Sequence, residues 1–128
     1  MSQTASPAQR EIGHASRAFG KVYSVTVNDD QLDASPAWAE DEEHPPLSAR
    51  HAMKLATELK DRLVNDSDDY KWKLETASLN AASEHKWYWL IQFGVDYRSA
   101  IFAGTPPDLR LVVLMDGTVI EPRVHDGN

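Results

Sequence analysis

The most unusual pattern of hydrophobic and polar positions lies in residues 86–95, KWYWLIQFGV, where apolar side chains occupy consecutive positions. In a β-strand, successive side chains point to opposite faces of the sheet. One face of a strand here would carry Trp87, Trp89, Ile91, Phe93 and Val95. The other face would begin with Tyr88 and Leu90 and become polar at Gln92. An antiparallel sheet with one wet face normally alternates with polar residues, so we expect both faces of this strand to be covered.

Alternation at period two also predicts strands over residues 21–28, 70–76, 109–115 and 118–121. Residues 48–64 show helical spacing instead, after two prolines that disfavour a helix before them. Ser48 is the predicted N-cap of this helix. Its apolar stripe is Ala52, Leu55, Ala56, Leu59 and Leu63. The pattern therefore predicts an α+β fold, with one main helix packed on a curled antiparallel sheet of four to five strands.

The chain has 128 residues, which is a usual length for one domain. Residues 1–18 are rich in Ser, Ala, Gln and Thr and are predicted to be a flexible tail. Residues 19–125 are predicted to form the single α+β domain, with an acidic linker at 29–46 inside it.

The last predicted hairpin has the same pattern of two apolar faces. Asp116-Gly117 favours a two-residue turn, which would place Leu114 opposite Val119 and Val113 opposite Ile120. The second apolar face, away from the helix, would then consist of Tyr88, Leu90, Val112, Leu114 and Val119. These five residues are the candidate binding face, because large exposed apolar patches often mark interaction sites. Three alternatives could cover this second face. They are the chain's own N-terminal segment docking through Ile12 and Phe19, a second copy of the chain forming a homodimer, and another protein or apolar ligand.

The formal net charge of −7 is concentrated in one segment. Its acidic residues are Asp29, Asp30, Asp33, Glu40, Asp41, Glu42 and Glu43. Nucleic acid is excluded as an expected partner, since phosphate binding needs a basic surface. The segment is interpreted as a solvated linker or, alternatively, as an acidic surface for a basic protein partner.

Candidate chemistry is sparse. The chain has no cysteine, its five histidines are scattered, and no glycine-rich phosphate loop or nucleophile motif is present. We therefore predict no catalytic residue, no metal ligand and no cofactor. Glu75 and Asp96 are the carboxylates that an enzyme would use for acid–base chemistry, although solvated surface charge is the simpler interpretation. No signal peptide or membrane span is recognisable, so we expect a cytoplasmic protein or a mature form whose signal was removed.

Three segments resemble the PepSY-like and cystatin-like group of small α+β domains: LSARHAMKLATELKDRL (47–63), KWYWLIQFGV (86–95) and VLMDGTVIEP (113–122). The resemblance covers about residues 47–122. It implies a helix followed by a meander of strands and a binding or inhibitory role, with no catalytic set to transfer. The chain lacks the Gln-x-Val-x-Gly run of cystatins, so inhibition of thiol proteases is not expected.

The leading functional hypothesis is a non-enzymatic binding or interaction module of unknown partner. The alternatives are a small NTF2-like enzyme with a pocket in the curled sheet, and an acidic immunity or inhibitor protein.

Overall fold

The computed structural model describes residues 11–97 and 106–127. The described residues form six strands and two helices. In chain order these are β1 (Glu11–Ala18), β2 (Lys21–Asn28), α1 (Asp29–Ala34), α2 (Ala49–Leu63), β3 (Tyr70–Ala81), β4 (Trp87–Tyr97), β5 (Asp108–Leu114) and β6 (Arg123–Asp126). This arrangement confirms the α+β class. No helix in the described parts of the chain is both long and apolar enough to cross a membrane.

The strands form two antiparallel three-stranded sheets rather than one sheet of four to five strands. Sheet A has the order β1-β2-β6 and sheet B has the order β3-β4-β5. The predicted strand over residues 118–121 is reduced to an isolated bridge between Val113 and Val119. The predicted strand over residues 21–28 is β2, which pairs with β1 and β6 instead of joining sheet B. A bulge between Leu74 and Thr76 interrupts the pairing of β3 with β4.

Helix α2 covers the first face of sheet B, as the apolar stripe predicts. The Ser48 hydroxyl accepts a hydrogen bond of 3.1 Å from the His51 amide, which confirms Ser48 as the N-cap. Ala52, Ala56 and Leu59 are buried against the sheet. Their partners on sheet B include Trp72, Trp89, Ile91, Phe93, Leu109, Leu111 and Val113.

Sheet A covers the second face of sheet B. Tyr88, Val112 and Leu114 are only 3%, 0% and 2% exposed. They form a second core with Val25 and Val27 of β2, and the partly buried Ile12 and Leu90 pack against it. Of the three predicted covers, the structure shows the chain's own N-terminal segment, with Ile12 packed on this core. Phe19, the other predicted docking residue, instead contacts Tyr70 and Trp72. The second face is accordingly not offered to a second copy or to another partner in this structure.

Residues 11–18, which composition assigned to a flexible tail, form strand β1. It pairs with β2 from Glu11↔Asn28 to Ala18↔Lys21. Its inward positions include Ser16 and Ala18, which are buried, and Ile12 and His14, which are half-buried. Apart from Ile12, these side chains are small or polar, so this strand shows little of the hydrophobic alternation that would predict it. Residues 1–10 lie outside the described residues.

The predicted register of the last hairpin is shifted by one residue. Leu114 donates to the carbonyl of Thr118 at 2.8 Å, and Ile120 donates to that of Val112 at 3.0 Å. Val113 therefore bridges Val119, which lies on the helix-facing side of sheet B, and Ile120 joins the second core. In this turn only Gly117 has a positive φ, +92°, as in a three-residue loop ending in a left-handed glycine. Because a one-residue slip exchanges the faces, Val119 does not belong to the predicted binding face.

The two-residue turn of the described chain lies instead between β1 and β2. Phe19 and Gly20 have φ values of +50° and +79°, which match a type I′ turn. A positive φ is unfavourable for phenylalanine. The Phe19 ring stacks on Tyr70, with centroids 4.6 Å apart, and meets Trp72 edge-on at 6.2 Å. This aromatic packing offsets the backbone cost and fixes the tip of the hairpin against sheet B.

The burial of the second face predicts that Leu114→Ala lowers the free energy of unfolding by about 3 kcal/mol, because the truncation leaves a cavity between the sheets. Val124→Ala is the control, since Val124 is 47% exposed. Its effect should stay within about 0.5 kcal/mol. Urea unfolding followed by tryptophan fluorescence measures both values, and equal effects would contradict a core between the sheets.

The turn at Phe19 makes a separate prediction about two substitutions at one position. Phe19→Ala should destabilise the protein by about 1 kcal/mol, because it removes the stacking while a side chain remains at positive φ. Phe19→Asn also loses the stacking, but asparagine tolerates this conformation. Thermal unfolding should therefore give a higher Tm for the asparagine variant than for the alanine variant. The reverse order would mean that backbone strain at this position is negligible.

Candidate functional site

A cleft with aromatic walls and an acidic rim lies where the segment after α1 meets the start of β4. It is lined by Trp38, Ala39, Glu40, Glu42, Glu84 and Trp87 and has a volume of about 290 Å³. We refer to it as the acidic–aromatic cleft. It contains two of the chain's four tryptophans, and neither is fully buried.

Helix α1 begins the segment that forms this cleft, so residues 29–46 are not a linker throughout. Asn28 and Gln31 make a reciprocal capping box, with two side-chain to amide hydrogen bonds of 2.9 Å. Asp29 and Asp30 stand in the first turn, where negative charge is favourable to the helix dipole. Leu32 anchors the helix in the second core.

Two hydrogen bonds hold the segment after α1 against the connection between β3 and β4, and a third joins that segment to α1. The Lys86 ammonium donates to the carbonyl of Ser35 at 2.6 Å. The Trp38 amide donates to the carbonyl of His85 at 2.9 Å. Ser35 is buried, and its hydroxyl donates to the carbonyl of Leu32 at 2.9 Å. The segment that carries Trp38 is therefore tied to the β3–β4 connection by a backbone contact and a side-chain contact.

The orientation of Trp38 is fixed by the turn that follows it. Its indole Nε1 donates to the carbonyl of Glu42 at 2.9 Å. Glu42 closes the turn through its own amide, which donates to the carbonyl of Ala39 at 3.0 Å. The Glu42 carboxylate also accepts a long hydrogen bond of 3.4 Å from the Ala39 amide. Glu42 thus has a structural role, while Glu40 and Glu84 are exposed on the rim.

The two tryptophan rings meet at a steep angle. Their centroids are 5.3 Å apart and their planes are inclined by 70°. Trp87 packs on the helix-side core, which holds it in place. Because both rings line the same cleft, they form two walls of a corner whose rim is negatively charged.

The predicted acidic partner segment is divided by the structure. Glu40 and Glu42 line the acidic–aromatic cleft, together with Glu84 from the β3–β4 connection. The remaining predicted residues do not line it: Asp29, Asp30, Asp33, Asp41 and Glu43. Trp38, Trp87 and Glu84 were missed as site residues, because nothing in the sequence pattern indicates that positions 38 and 87 meet.

A second cleft, of about 510 Å³, lies between the sheets where β1 approaches β5. Its polar lining consists of Ser16, Arg17, Glu75, Gln92, Asp108 and Arg110. Asp108 accepts a hydrogen bond from the Arg17 amide at 3.2 Å, and its other oxygen is 3.2 Å from Arg110 Nε. The Arg110 amide donates to the Ser16 hydroxyl at 3.0 Å. These contacts join the adjacent edges of the two sheets, which is a structural role.

Glu75 and Asp96, the predicted acid–base carboxylates, each have a contact of their own in the structure. The carboxylate of Glu75 lies over Gly94, at a place where any Cβ would come within 2.5 Å of it. Asp96 instead forms an exposed ion pair of 2.6 Å with Lys73. No cluster of three or more His, Asp or Glu side chains suited to a metal occurs in the described ranges.

His14 links the two sheets within the polar part of their interface. Its Nε2 is 3.0 Å from the hydroxyl of Tyr88, and the two rings meet edge-on at 5.8 Å. Burial lowers the pKa of His14 below its ordinary value, and the nearby positive charge of Arg110 lowers that pKa further. The neutral imidazole is therefore the form that the folded protein favours.

Comparisons of the chain with protein-family models, with curated proteins and with solved structures found no match. The resemblance to PepSY-like and cystatin-like domains consequently stays a prediction.

The lowered pKa of His14 predicts a loss of stability on mild acidification. As the pH falls through about 6.5, the unfolded chain takes up a proton that the folded state resists, so the free energy of unfolding decreases. His14→Gln keeps a polar group that can reach Tyr88 but removes the titration. Urea unfolding is measured from about pH 7.5 to about pH 5.5, one unit on either side of the ordinary histidine pKa. The free energy of unfolding should depend less steeply on pH in this variant than in the wild type. An unchanged slope would contradict the assignment of the effect to His14.

Proposed function

We propose that this protein is a non-enzymatic binding module that captures a basic segment of another protein in the acidic–aromatic cleft. The observation that carries this proposal is the convergence of Trp38 and Trp87 with three glutamates in one cleft of about 290 Å³. A positively charged side chain is attracted to the face of an indole ring and to carboxylates alike. The cleft therefore fits a lysine or arginine side chain better than a neutral or acidic one.

The distribution of charge supports the same partner class. The net charge is −7, and the acidic residues at 29–43 surround the segment that carries Trp38. A negative surface speeds the encounter with a basic partner, and the effect weakens as salt screens it. The rim carboxylates are exposed, so each contributes modestly to affinity, while the tryptophan walls supply the desolvated contact.

The NTF2-like enzyme has less support. Such an enzyme would need a pocket on the concave side of its sheet, and here the helix-facing side of sheet B is filled by Trp72, Trp89 and Phe93. The acidic immunity or inhibitor hypothesis shares its basic partner with the present proposal and differs only in what binding accomplishes.

We expect a lysine- and arginine-rich peptide to bind the full chain, with an affinity that falls as the salt concentration rises. Replacing Glu40 and Glu84 together by glutamine should weaken binding by about three- to tenfold, because two rim charges are lost. Fluorescence anisotropy of the labelled peptide measures the dissociation constant. An acidic peptide of the same length should not bind.

The matched control is Asp41→Asn combined with Glu43→Gln, which changes the net charge equally in the same segment but outside the cleft. This control should alter the dissociation constant by less than about twofold. Equal weakening by the two double variants would indicate nonspecific attraction to the net charge and would overturn the proposal.

A further inference from the structure

We infer that the cation recognised by the acidic–aromatic cleft is a methylated lysine of the partner protein, in preference to an unmodified lysine or an arginine. This inference rests on the proposed function and assigns the chemistry of the group that enters the cleft. It depends on the shape of the corner formed by Trp38 and Trp87 and on the exposure of the rim carboxylates.

The angle between the rings selects for the shape of the cation. A flat guanidinium group stacks on one ring at a time, and the second wall, inclined by 70°, meets only its edge. A methylated ammonium is nearly spherical, so its methyl groups can touch both walls of the corner together. Aromatic walls of this kind are a recurrent means of recognising quaternary ammonium groups.

Hydration separates methylated from unmodified lysine. A bare ammonium is a compact, strongly hydrated charge, and placing it in the corner against the two indole rings removes water that these rings do not replace. Glu40 and Glu84 are exposed, so they attract a cation from the rim while remaining solvated themselves. Methyl groups lower the cost of desolvation and keep the positive charge, which favours the methylated form inside the corner.

The positive and titratable groups nearest to the cleft are already engaged with its own scaffold. Lys86 donates its ammonium to the carbonyl of Ser35. Nε2 of His85 is 4.0 Å from the carboxylate of Glu84. The volume of about 290 Å³ accommodates a methylated head together with part of its methylene stem, which would pack along the ring faces.

The test uses the full chain and three labelled peptides that differ at one central position, which carries lysine, trimethyllysine or arginine. We expect the trimethyllysine peptide to bind about fivefold more tightly than either of the others, which is the scale of a partly desolvated cation–π contact. Trp38→Phe should reduce this preference, and Trp38→Leu should abolish it, because these changes progressively remove one π face. Circular dichroism verifies folding, and if the leucine variant does not fold, the phenylalanine variant alone decides.

The outcomes separate this inference from the proposed function. If the three peptides bind equally and still depend on Glu40 and Glu84, the proposed function stands and the inference falls. If none of them binds, both fall. Choline is tested as a small-molecule competitor of the labelled trimethyllysine peptide. If choline competes as strongly as the unlabelled trimethyllysine peptide does, the cleft binds a free quaternary ammonium compound, and the choice of a protein side chain is overturned.

Discussion

Sheet B is apolar on both faces, and the rest of the fold is organised around covering it. Helix α2 buries one face against Ile91, Phe93 and Leu111, while sheet A buries the other against Val112 and Leu114. Burial of apolar surface stabilises a protein by about 25 cal/mol per Å², so leaving either face in water would remove a large share of the core. The N-terminal hairpin is therefore a layer of the domain.

Because both faces of sheet B are buried, the candidate site lies outside the sheet faces, at the edge of the domain. The site is built from connections, namely the segment after α1 and the one between β3 and β4, and these meet only because the layers on either side are fixed. Leu32 packs in the same core as Val112 and Leu114, which sets the position of α1. The hydrogen bond from Lys86 to Ser35 then holds the segment after α1 close to the start of β4, where Trp87 lies. Loops positioned by a rigid scaffold are a common location for binding residues.

Much of the fold could be predicted from periodicity, and each difference has an identifiable cause. Helix α2 and its cap followed from the spacing of its apolar residues and from Ser48, and the need to cover both sides of β4 followed from its consecutive aromatic residues. Strand β1 was not predicted, because its inward side chains include the polar His14 and Ser16. The Asp116-Gly117 pair suits both two- and three-residue loops, and only the conformation of Gly117 distinguishes them. Helix α1 did have a local signal, since Asn28 and Gln31 have the spacing of a capping box.

The candidate site was predictable only in its charge. The concentration of acids at 29–43 was interpreted as a solvated linker or, alternatively, as a surface for a basic partner. The sequence contains no pattern that joins Trp38 to Trp87, which lie 49 positions apart along the chain. Their meeting depends on the hairpin that covers sheet B, because the same core that buries Val112 also anchors Leu32 and hence α1. The apolar face first considered as a binding surface thus contributes to the candidate site only indirectly. Its burial holds the acidic segment in the conformation that gives the two tryptophans a common cleft.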